Sequence, residues 1–151
     1  MSASFDALKR FIETAPASRL ATRPLGQPAE VAILLDGDPP ARFTMESGSP
    51  QLLPEPARDP DFTLSLPEKA VQQLTTLGSE DVGEYGVAFF GLLLSSDHDL
   101  KVRAHINAAT SRLLGRGYLS VLASGGAKVA WWLMKNGVRN PKAAIDRLRG
   151  R

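Results

Sequence analysis

The sequence contains no cysteine and only two histidines, His98 and His105. The missing thiols exclude disulfides, thiolate zinc sites, iron–sulfur clusters and a cysteine nucleophile. Long apolar runs are missing too, because the longest uncharged stretches, residues 86–96 and 117–127, have eleven residues each. A membrane-spanning helix needs about 20. The first ten residues hold no apolar stretch typical of a signal peptide, so we expect a cytoplasmic protein.

Charge is distributed unevenly along the 151 residues, although the net charge is only +2. Residues 1–100 carry 7 Lys and Arg against 15 Asp and Glu, a net charge of −8, whereas residues 101–151 carry 11 against one, a net charge of +10. The two parts can neutralise each other within the fold. Alternatively, the basic part meets the phosphate groups of lipid or nucleic acid. The length fits one domain over residues 1–151.

Apolar spacing and turn residues predict short helices and strands. Ser4 and Ser79 are the expected N-caps of two helices, and Pro16 is the expected end of the first. Residues 16–29 are interpreted as a connector, residues 48–60 as a loop, and residues 107–124 fit either helix or strand. The predicted helices cover residues 4–15, 67–78, 80–94, 127–135 and 141–148, the last two forming a basic extension over 125–151, and the predicted strands cover residues 30–36, 41–47, 61–66 and 98–106.

The search for catalytic and cofactor motifs is negative. His105 lies on the polar side of the predicted strand 98–106, between Arg and Lys neighbours, as a solvated surface residue. Asp97, His98 and Asp99 could supply ligands for a cation, but adjacent strand residues point to opposite faces and do not converge on one. The glycines at 115 and 117 lack the third glycine of a dinucleotide-binding fingerprint, and no nucleophile elbow is present. We therefore expect no catalytic residue, no metal site and no cofactor.

The predicted helix 80–94 is the most apolar segment, and a helix that is apolar nearly all round must be buried on more than one side. Its glycines either weaken it, so that it forms a yielding wall, or permit close packing. In the predicted helix 127–135, adjacent Trp131 and Trp132 point about 100° apart, so one of them lines a second surface or reaches a partner. Ordinary core packing and an apolar pocket between helix and sheet are both open.

Three segments resemble the sterol carrier protein 2-like domain family. They are a strand that ends in Asp36 and Gly37, residues 60–66 (PDFTLSL) with the helix that follows, and residues 82–91 (VGEYGVAFFG). The last is similar to the family's segment in which an aromatic pair precedes a glycine. The match covers about residues 30–106. The resemblance implies an α+β domain in which a mostly antiparallel five-stranded sheet is covered by helices, with an apolar pocket or tunnel between them.

The same resemblance implies a protein that binds and carries an apolar lipid and catalyses no reaction. The expected ligand is a fatty acyl, sterol or isoprenoid-like molecule in an internal hydrophobic cavity. The side chains expected to line the cavity are Val82, Tyr85, Phe89, Phe90, Leu93, Trp131 and Trp132. A transient contact with an anionic membrane surface is expected through Arg139, Lys142, Arg147 and Arg149.

Two other classes stay open. A nucleic-acid-binding or protein-interaction module would use the basic part, but no helix-turn-helix spacing or aromatic platform is present, so nucleic acid is not expected. An enzyme would need an acid–base pair from Asp61, Glu84 or Asp99, which no spacing supports. The cations available to a nucleic-acid-binding module would be Arg103, Arg112, Arg116, Lys128, Lys135, Arg139, Lys142, Arg147 and Arg149.

Overall fold

The computed structural model describes residues 2–118, 120–121 and 126–136. The predicted helix 141–148 and the four arginines and lysines expected at a membrane lie outside these residues. No helix in the described part of the chain is long and apolar enough to cross a membrane. The helices are α1 (Ala3–Thr14), α2 (Pro16–Thr22), α3 (Glu68–Thr75), α4 (Val82–Leu93), α5 (Thr110–Gly115) and α6 (Gly126–Lys135), and the strands are β1 (Glu30–Leu35), β2 (Ala41–Glu46), β3 (Ser49–Leu53), β4 (Phe62–Leu66) and β5 (Arg103–Ile106).

The five strands form one open sheet in the order β3-β2-β1-β4-β5. The pairs β1–β2, β2–β3 and β4–β5 are antiparallel, and the pair β1–β4 is parallel. The sheet is therefore mixed, because the chain leaves the edge strand β3 and returns through residues 54–61 to begin β4 beside the start of β1. The α+β class is confirmed, and the sheet has five strands as the resemblance implies, although the sequence patterns located only four of them and one pairing is parallel.

Side chains alternate along the strands, which gives the sheet a buried face and an open face. In β1, Val31 and Ile33 point into the core and are 8% and 4% exposed, whereas Leu34 points outward and is 39% exposed. Arg103 and His105 of β5 are exposed as well. The apolar core thus lies on one side of the sheet, where the helices pack.

The helix layer does not cover the inward face evenly. Phe43 and Leu52, in β2 and β3, are buried, but Phe62 and Leu64 in β4 and Ala104 in β5 are only half-buried. These side chains all point to the inward face of the sheet, because Val31 lies opposite Phe62 and Leu64 lies opposite Ala104 in the strand register. The β4–β5 half of the sheet is therefore the less completely covered half.

The helices α1, α2, α3 and α4 pack against one another or the sheet, and α6 packs on α4. The N-caps predicted at Ser4 and Ser79 are wrong by two residues each. The Ser2 hydroxyl accepts a hydrogen bond from the Phe5 amide at 3.1 Å, so α1 begins at Ala3. The Asp81 carboxylate accepts from the Gly83 amide at 2.8 Å, so α4 begins at Val82.

Two segments interpreted as irregular are regular. Pro16 does end α1, but it also occupies the first turn of α2, a position that tolerates a missing amide hydrogen. The predicted loop 48–60 contains β3, which follows a tight turn whose central residues, Ser47 and Gly48, have φ of 51° and 79°. Pro50 is accommodated there because β3 is an edge strand.

Strand β5 is shorter than the predicted strand 98–106. Residues 98–100 form a turn instead, in which the amides of Leu100 and Lys101 donate to the Asp97 carbonyl at 3.0 and 2.9 Å. The predicted alternation still holds where the strand exists, because Ile106 is buried and Arg103 is exposed. After β5, residues 110–115 of the segment 107–124, which fitted either helix or strand, form α5, and residues 119 and 122–124 lie outside the described part of the chain.

We predict that Gly117→Ala lowers the free energy of unfolding by about 2 kcal/mol or more. Gly117 has a φ of +92°, and a Cβ placed there would lie 2.3 Å from the Pro24 carbonyl oxygen. Urea unfolding measures the change. Gly115→Ala is the matched control, because nothing lies within 4 Å of a Cβ at that residue, and its effect should stay within about 0.5 kcal/mol. Equal stability of the two variants would contradict this reading of Gly117.

Candidate functional site

Helix α4 is almost wholly apolar, with Glu84 as its only charged residue, yet only Gly83, Leu92 and Leu93 in it are buried. The helix contacts α2, α3 and α6, so it is packed on more than one side as predicted, but this packing leaves its aromatic rings partly in water. Exposed apolar area is unfavourable at roughly 25 cal/mol per Å², so the helix retains surface that another apolar group can cover. The half-buried apolar side chains of α4 are Val82, Tyr85, Val87, Ala88, Phe89 and Phe90.

Helices α4 and α6 approach each other closely at Gly86. A Cβ on Gly86 would lie 2.5 Å from Cγ2 of Val129, which is 3% exposed. Glycine at this position therefore serves close packing between two helices. Lys128 joins the same two helices through ion pairs, one with Asp81 and one with Glu84 at 3.6 Å.

Ring contacts connect α4 with the helices on either side of it. The ring centroids of Tyr85 and Phe11 of α1 are 4.9 Å apart. Phe89 and Phe90 are 6.0 Å apart, and Phe90 is 6.5 Å from Trp132 of α6. Such separations are within the usual range for aromatic pairs. Phe89, Phe90 and Trp132 thus form one series of ring contacts between α4 and α6, and Tyr85 and Phe11 form a separate contact between α4 and α1.

Ring contacts join three of the seven side chains predicted to line a cavity, Phe89, Phe90 and Trp132, whereas the ring of Tyr85 contacts Phe11. Val82 is half-buried at the start of α4. Leu93 is 3% exposed and belongs to the packed core. Trp131 is 64% exposed, and it points away from α4 as the angle between adjacent helical positions requires.

Sequence reasoning placed a possible pocket between helix and sheet but named no residue of the sheet for it. Phe62, Leu64 and Ala104 point inward from β4 and β5, are half-buried, and pack against the same core as Phe89 and Phe90. The alternation of apolar and polar residues in the sequence had predicted that Phe62 and Leu64 point to the same side of a strand. The incomplete cover over that side depends on how the helices are arranged, which no local pattern contains.

A buried carboxylate lies directly before β4. Asp61 is 0% exposed, and its Oδ1 accepts hydrogen bonds from Nε of Arg112 and Nη1 of Arg116, both at 2.7 Å. Its Oδ2 accepts from the Tyr118 hydroxyl at 2.7 Å and from the Glu30 amide at 3.3 Å. Both oxygens are fully used, so this carboxylate is a structural anchor for α5 and for the residues that follow α5.

The partners of Asp61 determine its charge. Burial alone would raise the pKa of Asp61, but the hydrogen bonds from Tyr118 and Arg116 outweigh burial and hold the pKa below its ordinary value. Burial and the bond to Asp61 together raise the pKa of Tyr118 well above its usual value. The carboxylate therefore stays ionised, and the phenol keeps the proton that it donates.

A second ionic group fixes the return connection to β4. Glu30 is 8% exposed, and its carboxylate accepts hydrogen bonds from the amides of Arg58 and Asp59 at 3.1 and 2.7 Å. It also accepts from Arg42 at 3.1 Å, and Arg42 bonds Glu55 at 2.7 Å. These bonds hold residues 54–61 against the start of β1.

The polar residues considered for chemistry are dispersed. His98 and His105 are both exposed. Within the described residues, no group of three or more His, Asp or Glu side chains is arranged to hold a metal ion. The candidate for ligand binding is therefore the set of half-buried apolar side chains on α4, β4 and β5 that pack against one core, with Trp132 of α6 beside Phe90.

No protein-family model, no curated protein and no solved structure matches this chain. The fold defines the class of protein at a coarse level, as an α+β protein whose open mixed sheet is covered by helices on one face. The resemblance to sterol carrier protein 2-like domains stays a prediction.

We predict that Asp61→Asn lowers the free energy of unfolding by about 3 kcal/mol, because removing one partner of a buried ion pair leaves the other uncompensated. The side chains of Arg112 and Arg116 are 29% and 23% exposed, which places the value at the lower end of the usual range. Asp59→Asn is the control: Asp59 also pairs with Arg112, at 3.0 Å, but is 77% exposed and should cost under about 1 kcal/mol. Similar losses in the two variants by urea unfolding would refute the anchoring role.

The stabilisation that Asp61 supplies should also decrease as pH falls. The folded-state pKa of Asp61 is lowered, so its stabilisation is fully present above the unfolded-state value of about 3.9 and is lost as pH falls through the folded value. The stability difference between wild type and Asp61→Asn should therefore shrink below about pH 4. Asp81, whose pKa is lowered by Lys128, adds to the acid sensitivity of both proteins. A difference that stays constant down to the acid transition would contradict the assignment.

Proposed function

We propose that this protein binds the apolar part of a lipid, a fatty acyl, sterol or isoprenoid-like molecule, and carries it without chemical change. One observation carries the proposal: half-buried apolar side chains from α4, β4 and β5 gather against a single core, and Trp132 of α6 joins them through Phe90. A ligand lying over them would remove its own surface and theirs from water. The side chains in this set are Phe62, Leu64, Ala88, Phe89, Phe90, Leu100 and Ala104.

The energetics of lipid transfer suit such a surface. Each methylene group that leaves water gains about 0.8 kcal/mol, so a chain of about 16 carbons gains on the order of 12 kcal/mol in a bilayer or in a protein. The difference between these two environments is small. A protein with an apolar site therefore exchanges lipid with a membrane near equilibrium, while the lipid avoids bulk water.

The fold is compatible with the resemblance on which the proposal also draws. That resemblance implies five strands, mostly antiparallel, with helices over them and the ligand between the two layers. Three of the four strand pairings here are antiparallel, and the helices lie on one face. The inward face is least covered at β4 and β5, which is where a ligand between sheet and helices would find apolar contacts.

The carboxylates of the enzyme alternative do not form an acid–base pair in the structure. Asp61 is hydrogen-bonded on both oxygens. Glu84 pairs with Lys128 at 3.6 Å, and Asp99 pairs with Lys69 at 3.5 Å. Each carboxylate thus has its own cationic partner, which favours binding over catalysis.

Several cations that a nucleic-acid-binding module would use are already engaged in ion pairs within the protein. Arg112 and Arg116 are directed to the buried Asp61, and Lys128 is paired with acidic groups of α4 and its N-cap. Since cations already in ion pairs contribute less to phosphate binding, the described part of the basic surface is less suited to nucleic acid than its sequence indicates.

Fluorescence quenching tests lipid binding directly. The chain has two tryptophans, so Trp131→Phe leaves Trp132, next to Phe90, as the only reporter. We expect 9,10-dibromostearate to quench Trp132 saturably at one ligand per protein. Adding Phe90→Ala should weaken binding about tenfold, because a buried phenylalanine contributes about 1.5–3 kcal/mol and 1.4 kcal/mol is a factor of ten.

The matched control for this experiment is Leu34→Ala in the same Trp131→Phe background. Leu34 is an apolar residue of the open sheet face, 39% exposed, and its truncation should leave the affinity unchanged. Circular dichroism and urea unfolding establish that both variants are folded. Absence of saturable quenching in the parent protein, or equal affinity of the Phe90 and Leu34 variants, would refute the proposed site.

A further inference from the structure

We propose that the outward face of α6 is a docking surface for an anionic lipid bilayer, with Trp131 and Met134 entering the interface. The inference rests on the proposed lipid-binding function, because it names the membrane as the place where ligand is exchanged. Three features support it: α6 has two different sides, the apolar residues on its outer side are exposed, and basic residues outnumber acidic ones in α6 and in the sequence that follows it.

Helix α6 has two different sides. Its inner side contacts α4, where Val129 meets Gly86 and Trp132 lies 3.9 Å from a Cβ position on Gly91. Successive helical residues are rotated by about 100°, so Ala130, Trp131 and Met134 occupy the opposite arc. All three are exposed. The side of α6 that faces away from the protein is thus apolar at its centre.

The exposure of this apolar side is large. Trp131 is 64% and Met134 is 61% exposed, the two highest values among the large hydrophobic residues that the structure describes as exposed. They lie three positions apart and are therefore neighbours on the helix surface. Tryptophan has an apolar ring and a polar N–H, a combination that favours the boundary between lipid chains and headgroups.

Charge distinguishes a bilayer from other apolar partners. Lys135 borders Trp131 on the helix surface, and α6 contains no acidic residue, while Lys128 is engaged in ion pairs with Asp81 and Glu84. From residue 135 onward the sequence has a single acid, Asp146, against six cations. Anionic headgroups attract such a segment, whereas a second copy of this strongly basic region would repel it. The six cations are Lys135, Arg139, Lys142, Arg147, Arg149 and Arg151.

Docking in this orientation has a direct consequence for exchange. The inner side of α6 contacts α4, where the ring of Trp132 lies beside Phe90. A bilayer in contact with the outer side would therefore be separated from Phe90 by one helix, a thickness of about 10 Å. A lipid chain would then move between membrane and protein over a short distance that excludes water.

Co-sedimentation with vesicles tests the inference on the full chain. We expect the protein to bind phosphatidylcholine vesicles that contain phosphatidylglycerol, and to bind less as salt rises. The double variant Trp131→Ala, Met134→Ala should bind these vesicles about tenfold more weakly, since two apolar anchors are lost. Leu34→Ala, an exposed leucine on the far face of the sheet, should bind like wild type.

A second measurement uses Trp132→Phe, which leaves Trp131 as the only tryptophan. Its emission should shift to shorter wavelength with phosphatidylglycerol vesicles and stay unchanged with phosphatidylcholine alone. Binding by the double variant equal to wild type, binding that ignores phosphatidylglycerol, or a wild-type dimer in sedimentation velocity that the double substitution dissociates would overturn the inference.

These outcomes are separable from failure of the proposed function. The double variant is altered only at exposed residues, so with Trp132 as reporter it should retain the dibromostearate affinity of the parent. If that affinity is retained and vesicle binding is unchanged, the docking surface is wrong and the lipid site stands. If dibromostearate does not bind and vesicle binding still depends on Trp131 and Met134, the docking surface stands and the lipid site is wrong.

Discussion

The buried Asp61 carboxylate joins parts of the chain that are distant in sequence. Its side-chain partners Arg112, Arg116 and Tyr118 lie 51, 55 and 57 residues away, and its own amide donates to the Glu30 carbonyl at 2.7 Å. A charge without exposed surface is tolerated only when it is paired and hydrogen-bonded, so these groups must come together whenever the protein folds. The anchor aligns the starts of β1 and β4 and holds α5 against them. The positions of α5 and Tyr118 therefore depend on it.

The polar anchor and the apolar site are adjacent. Tyr118 bonds Asp61 through its hydroxyl and contacts Phe62 through its ring, with centroids 4.8 Å apart. The anchor therefore also limits the apolar region at one end of β4. On the other half of the sheet, Val31, Phe43 and Leu52 are tightly buried and supply a core that needs no ligand. Under the proposed function, one half of the sheet maintains the fold while the other supplies apolar surface for the ligand.

Local patterns predicted the parts of this fold that depend on local chemistry. Period-two alternation located β2 and β4, a short apolar run located β1, and the angle between adjacent helical residues separated Trp131 from Trp132. The turn at Ser47 requires a positive φ from a residue that rarely adopts one, so β3 was missed, and Pro16 starts one helix while ending another. The side chains that bond Asp61 lie 51 or more residues away in sequence. The incomplete cover over Phe62 and Leu64 also depends on distant parts of the chain, and no local pattern encodes either feature.

The proposed function requires that one half of the sheet is fully packed without a ligand and that the other half keeps an apolar surface for a lipid chain. Native mass spectrometry of the full chain purified from cells, followed by organic extraction of the same sample, tests it most directly. The account predicts a bound species of lipid mass at one per protein, which extraction removes and added fatty acid restores. A protein that is isolated without ligand, and that stays without ligand after incubation with fatty acid, isoprenoid and sterol, would contradict it.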